Sequence, residues 1–191
     1  ISDYYLSWGW SDPDCPKIKP VGKFSVRKPL KVCHAEQTGL LMVSAAVPRQ
    51  SYYMYSTMVS RQQIDYFDDQ HCFVENLPDH IRGELTVRLY SKDYGWDQLA
   101  RWQDKFSDIA LDTGKSNIRD LISKSRLYIA TYNSTTYLEM FAMNVPTVIF
   151  WNPNHWELRD SAIPYFEDLK RVGIFHETPN SAARHVAAIW D

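Results

Sequence analysis

The sequence predicts an α/β fold, a parallel sheet with helices on both faces. Two observations carry that expectation. From residue 38 to the end, short apolar runs alternate with segments of helical period, the pattern of βαβ units. The run at 38–44 is continuous rather than alternating, as expected of a strand covered on both sides. The 191 residues suffice for a substantial core, because about 70% of the unfolded surface is buried at this size. The composition, 45% hydrophobic and 23% charged, is globular and excludes wholesale disorder.

The elements follow in order. Residues 1–29 have no clean period, and Pro13, Pro16, Pro20 and Pro29 favour extended or turn structure. This stretch, with Trp8-Gly9-Trp10 and the basic Lys17, Lys19, Lys23, Arg27 and Lys28, is expected to be a linker or interdomain segment. Residues 30–191 are expected to form the α/β domain. Thr38 to Ser44 reads as a buried strand, and 45–60 as a loop containing Arg49 and Tyr52, Tyr53 and Tyr55. Ile64, Phe67, His71 and Val74 recur at helical spacing over 61–76, and Ile81 continues that face beyond Pro78. Asp68, Asp69 and Glu75 fit the solvated side of that helix. Strands are expected at 84–90, 109–112, 126–131, 145–150 and 172–175. Helices are expected at 94–102, at 116–123 behind a Ser116 N-cap, and at 135–143, 156–170 and 180–190. Ligands of such sheets bind beyond the carboxyl ends of the strands.

Charge and motifs narrow the function. The net charge of −2, from 21 basic and 23 acidic residues, argues against a dedicated nucleic-acid or membrane-surface binder. The longest apolar run, 145–151, is too short to span a bilayer, and no signal-peptide pattern opens the chain. Cys15, Cys33 and Cys72 lack CxxC spacing, which favours reduced thiols in a cytoplasmic compartment. The histidines, including the Cys33-His34 and His71-Cys72 pairs, make no metal set, so neither a metal nor a cofactor is expected. GxGxxG, Walker A and GxSxG sequences are absent. The chain opens at Ile1 and stops after an apolar helical stretch, and it reads as a fragment cut at both ends.

Three loops at strand ends hold the candidate residues. In the first, Asn133, Ser134, Thr135 and Thr136 stand where a strand turns into a helix, with Glu139 one turn on. Helix N–H groups and short hydroxyls suit a phosphate, and the carboxylate suits a ribose diol. The same residues also read as a capping box, Thr136 paired with Glu139, which serves only the helix. In the second, Arg88 closes a strand and suits bidentate phosphate recognition, with Tyr90 beside it and Arg49 a weaker case of the same kind. In the third, Trp151, Asn152 and His155 offer ring and hydrogen-bond contacts to a sugar or base. Each has a bland reading: an ordinary ion pair for Arg88, and packing with helix-start chemistry for the third loop. The 27 aromatic residues fit either a core of large side chains or a cleft that stacks on rings.

Arg88-Leu89-Tyr90 with Asp93-Tyr94-Gly95-Trp96, the run Ser125 to Glu139, and Pro146 to Trp151 together resemble a family of transferases found in bacterial O-antigen and surface-polysaccharide loci. Gly173 to Pro179 and Trp8-Gly9-Trp10 fit the same pattern, so the resemblance covers most of the chain. The wider likeness is to GT-B-type glycosyltransferases and related glycerophosphotransferases. It implies the Rossmann-like, C-terminal, donor-binding half of a two-domain enzyme. Ser134, Thr135 and Thr136 would then hold the donor phosphate and Glu139 the ribose. Those relatives often carry a His-Pro after an earlier strand. Here Leu89-Tyr90 stands near that place, and Arg88 would neutralise the leaving phosphate instead. The implied partners are a CMP- or UDP-linked sugar donor and a polysaccharide or lipid-linked acceptor. The acceptor half and the catalytic base would lie outside this chain, leaving it inactive alone. A polyol-phosphate transferase or a sugar epimerase fits the same fold, and so does a non-catalytic α/β module that binds a protein or glycan.

Overall fold

The computed structural model describes residues 3–22, 38–50 and 58–190. The expectations for Lys23, Arg27, Lys28, Pro29, Cys33, His34, Tyr52, Tyr53 and Tyr55 lie outside the described residues.

In the first described segment, β1 (Tyr5–Ser7) pairs in parallel with β2 (Ile18–Pro20), a small sheet where only irregular chain was expected. The main sheet begins with β3 (Gly39–Val43), followed by α1 (Gln62–Glu75), α2 (Asp79–Arg82) and β4 (Leu85–Arg88). Next come α3 (Gln98–Lys105), β5 (Ala110–Asp112), α4 (Ile118–Lys124), β6 (Ser125–Ala130) and α5 (Thr135–Ala142). The chain closes with β7 (Thr147–Phe150), α6 (Ile163–Arg171), β8 (Phe175–His176) and α7 (Pro179–Ile189). The order across the sheet is β5-β4-β3-β6-β7-β8, with every pairing parallel. The chain therefore builds outward from β3 to one edge, returns to the middle, and builds out the other way. This is the order of doubly wound, Rossmann-like sheets, and it meets the expected fold class.

Alternation along the strands divides the core. Leu40, Met42, Leu127, Ile129, Val148 and Phe150 face α1, α2, α3 and α7. Leu41, Val43, Tyr128, Ala130 and Ile149 face α4, α5 and the α6 side. Each fully buried aliphatic chain of this kind is worth about 1.5–3 kcal/mol.

Several boundaries depart from the sequence reading, each for a local reason. The helix expected over 156–170 starts at Ile163, after a 3-10 turn over Asp160–Ala162. Pro164 lacks an N–H and is tolerated only in a first helical turn. The helix expected from Tyr94 starts at Gln98, because Tyr94 and Asp97 take left-handed φ values of 58° and 54°. The Asp93 carboxylate fixes that bend by accepting the N–H groups of Gly95, Asp97 and Gln98 at 3.0, 2.8 and 2.7 Å. The cap of α4 is Asn117, not Ser116, with its Oδ1 accepting the Arg119 N–H at 3.0 Å. On α1, Ile64 is 39% exposed, while Gln63, Tyr66 and Gln70 are buried beside the expected Phe67, His71 and Val74.

That burial brings a polar network to the centre of the sheet. Thr131, one residue past β6, donates to the Val43 carbonyl at 2.8 Å and meets the Tyr66 hydroxyl at 2.6 Å. The Tyr66 oxygen also accepts the Ala45 N–H at 2.9 Å. Gln70 Nε2 donates to the Tyr66 carbonyl at 3.1 Å, and its Oε1 accepts from Ser44 Oγ. Burial pushes the Tyr66 phenol well above its usual range, so it stays a neutral donor. One arrangement of protons satisfies both hydroxyls: Tyr66 donates to Thr131, and Thr131 donates to Val43.

Tyr66→Phe strips a partner from the Ala45 N–H and from Thr131 at once. A loss of about 1–3 kcal/mol is expected. Urea unfolding reads it as a lower midpoint, and a midpoint equal to wild type would show that the network adds nothing.

Candidate functional site

The chain leaves β3 toward α1 and leaves β6 toward α5, so the connections diverge where these neighbouring strands end. Open α/β sheets bind ligands at such a divergence. A cavity of about 250 Å³ lies there, walled by Val43 and Ser44 of the β3 exit, Arg88 and Tyr90 of the β4 exit, and Thr136 and Glu139 of α5. Tyr128 and Tyr132 form its inner wall. Burial raises both phenols, which keeps them protonated, and Thr136 Oγ1 donates to the Tyr132 hydroxyl at 3.3 Å. Of the residues that the sequence assigns to ligand recognition on this side, Arg88, Tyr90, Thr136 and Glu139 thus share one cavity, whereas Asn133, Ser134 and Thr135 do not line it.

Arg88 is tethered. It ends β4 directly beside Asp112 at the end of β5, and its Nη1 donates to Asp112 Oδ2 at 2.5 Å. It also donates to the carbonyls of Ser116 at 2.9 Å and Gly114 at 3.3 Å. Guanidinium has five N–H groups, so two are left for a ligand among the described residues. Gly114 is required at that turn: φ is 77°, and a Cβ would lie 2.8 Å from the Ser91 backbone nitrogen. Burial alone would raise the Asp112 carboxyl. The Ser116 hydroxyl and N–H, the Arg88 charge and the Gly114 N–H outweigh it and hold the group below the usual carboxylate range.

The α5 terminus overturns the capping-box reading. Ser134 is the N-cap, so Thr136 and Glu139 lie inside the helix rather than at its boundary. Ser134 makes no side-chain cap bond, and no acidic residue occupies the first turn. The first N–H groups of α5 are thus not met by a side-chain cap, and they carry the positive end of the helix dipole. Thr135 is exposed, and Asn133 Oδ1 accepts the Tyr137 hydroxyl proton at 3.0 Å.

The remaining candidates stand apart from this cavity. Arg49 lies over the Trp96 ring at 5.7 Å and donates to the Gly95 carbonyl at 3.4 Å. Trp96 Nε1 donates to the Val47 carbonyl at 2.7 Å, which ties the β3 exit to the Asp93 loop. Trp151 is 1% exposed and packs among Tyr137, Trp156, Phe166 and Phe175, which is a core position. Asn152 Oδ1 accepts the Asn154 N–H at 3.0 Å, a turn contact. The His155 side chain is mostly buried, with Nε2 3.9 Å from Asp65 on α1. Sequence reading also passed over Asp12-Pro13-Asp14, an Asp-x-Asp run; Asp12 Oδ1 accepts the Asp14 N–H at 3.0 Å. Among the described residues no three His, Cys, Asp or Glu side chains group so as to hold a metal ion. No described helix is long and apolar enough to cross a membrane.

The model of the LIC12162 family transferases matches residues 1–191. No curated protein matches the chain. Among solved structures, the chain is similar to the crystal structure of WaaG, a glycosyltransferase involved in lipopolysaccharide biosynthesis, with a TM-score of 0.38 and 14% identity. That likeness covers 81% of this chain and 44% of the WaaG chain, so the chain spans less than half the length of that structure.

Arg88→Met is expected to lower stability by about 1–3 kcal/mol near neutral pH, because Asp112 keeps its burial and loses its cation. Asp112 is depressed in the folded state, so its contribution is present above its unfolded value near pH 4 and is lost as pH falls through the folded value. Stability of the wild type should therefore fall more steeply in acid than that of Arg88→Met. Parallel urea curves at neutral and acid pH check this, and equal slopes would refute the pairing.

Proposed function

The chain belongs to the LIC12162 family of transferases, and from that premise we propose that it is the donor-binding part of a nucleotide-sugar-dependent glycosyltransferase of surface-polysaccharide, O-antigen-type synthesis. The supporting observation is the α5 terminus without a side-chain cap, which opens beside the cavity that Glu139 and Arg88 line. In this reading the donor phosphate takes the N–H groups and hydroxyls of Ser134, Thr135 and Thr136, with Asn133 at the entrance to the turn. Glu139 accepts from the ribose diol, and Tyr90 covers the base.

The bond from the anomeric carbon to the donor phosphate oxygen breaks as the acceptor oxygen bonds to that carbon. The acceptor proton passes to a base outside this chain, and the nucleotide leaves with its added negative charge. The two N–H groups that Arg88 keeps available would meet that charge. Because Asp112, Gly114 and Ser116 hold the guanidinium in place, little reorganisation is needed when the charge develops. The donor is CMP- or UDP-linked, the acceptor is a polysaccharide or lipid-linked glycan, and the work is done in the cytoplasm. GT-B-type pairing of this domain with a separate acceptor half belongs to the same proposal.

Calorimetric titration with CMP, CDP, UDP, GDP and ADP tests the reading. Saturable binding of one base is expected, weakened about five- to a hundredfold by Glu139→Ala. Ser134→Ala should weaken it as well. No binding by the folded chain, or a Glu139→Ala variant that loses stability and keeps its affinity, would overturn it.

A further inference from the structure

A second and larger cleft, of about 840 Å³, lies between the Trp10–Pro13 turn and the start of α6. Its volume is within the range of small-ligand sites. Two large rings line it while open to water: Trp10 is 47% exposed and Tyr165 is 72% exposed. Trp10 is held locally, since its carbonyl accepts the hydroxyl of the buried Ser7 and its ring lies 5.8 Å from that of Tyr5. Polar groups are interleaved with the rings: Asp12, Asn133, Glu157 and Arg159. Two carboxylates against one guanidinium disfavour a phosphate. Planar carboxylate, amide and guanidinium groups suit vicinal hydroxyls, which they meet with paired hydrogen bonds. Exposed aromatic rings suit a ligand with an apolar face. A pyranose has both properties.

The position supports the same ligand. Thr136 and Glu139 line the smaller cavity, whereas Asn133 and Tyr137 line this cleft. Successive helix positions point about 100° apart, so the α5 terminus stands between the two. A group attached to a phosphate at that terminus has a path into either space.

We propose that this cleft is a pyranose-binding subsite, with Trp10 and Tyr165 covering the sugar and Asp12, Asn133, Glu157 and Arg159 taking its hydroxyls. The sugar is either the donor's own or a unit of the acceptor glycan, and that choice alone rests on the transferase reading. Residues expected from sequence to be a linker thereby become part of the site.

Saturation-transfer NMR with the methyl glycosides of glucose, galactose, mannose and N-acetylglucosamine tests this on the chain. At least one should bind saturably, and Trp10→Ala or Tyr165→Ala should weaken it about fivefold or more. Both rings are exposed, so thermal unfolding of the variants should match wild type. With UDP-glucose and UDP-N-acetylglucosamine as probes, weakening by Trp10→Ala that spares UDP itself assigns the cleft to the donor sugar. Methyl glycoside binding that persists at saturating UDP-sugar assigns it to the acceptor. Absence of saturable binding for all four glycosides, or binding indifferent to both variants, overturns the proposal. Pyranoside binding by a chain that ignores every nucleotide would keep this inference and sink the donor reading, so the two fail separately.

Discussion

The molecule depends on one hydrogen-bonded junction, where Tyr66 of α1 meets Thr131 past β6 and the backbone of Val43 and Ala45 at the β3 exit. A doubly wound sheet has its weak point where the chain changes direction. The two central strands diverge there into different helices, and their last carbonyls and N–H groups would face a water-filled crevice. A neutral phenol and a threonine hydroxyl close that gap without burying a charge. The cavity beside α5 takes its place next to this junction, with Val43 and Ser44 in its wall. Gln70 and Ser44 extend it, so polar groups are buried beneath the crevice.

This explains what was legible from sequence. The strands were, because buried parallel strands leave continuous apolar runs such as Leu40 to Val43 and Leu127 to Ala130. The candidate cavity was legible in part. Arg88, Tyr90, Thr136 and Glu139 stand at strand ends or one turn into a helix, and strand ends are what the alternation locates. The junction itself was not. Gln63, Tyr66 and Gln70 recur at helical spacing, but two of the three are polar, and only tertiary contact reveals that they are buried. Trp151 was ambiguous for the opposite reason: a tryptophan after a strand serves a core or a cleft equally well, and only its neighbours decide. Thr136-x-x-Glu139 is a capping box by letter, but the helix already starts at Ser134, two residues earlier, so both residues fall inside it.

Arg88 shows how one residue joins fold and chemistry. Its bonds to Asp112, Gly114 and Ser116 staple the β5–α4 turn against β4, across a spacing that admits only glycine at Gly114. An arginine so anchored loses little side-chain entropy when it meets an anion, because most of its rotamer freedom was given up on folding. The ion pair that reads as a structural contact is thus also what makes the free edge of the guanidinium a fixed feature of the cavity.

The bend at Asp93 has a similar consequence for time rather than energy. One carboxylate gathers three N–H groups, Tyr94 and Asp97 are wound left-handed, Gln98 grips the Tyr90 carbonyl, and Trp96 grips Val47. This rim of the cavity is a bracket already set in shape. A ligand arriving there meets a surface that need not search for its conformation, so its capture is governed by encounter and orientation.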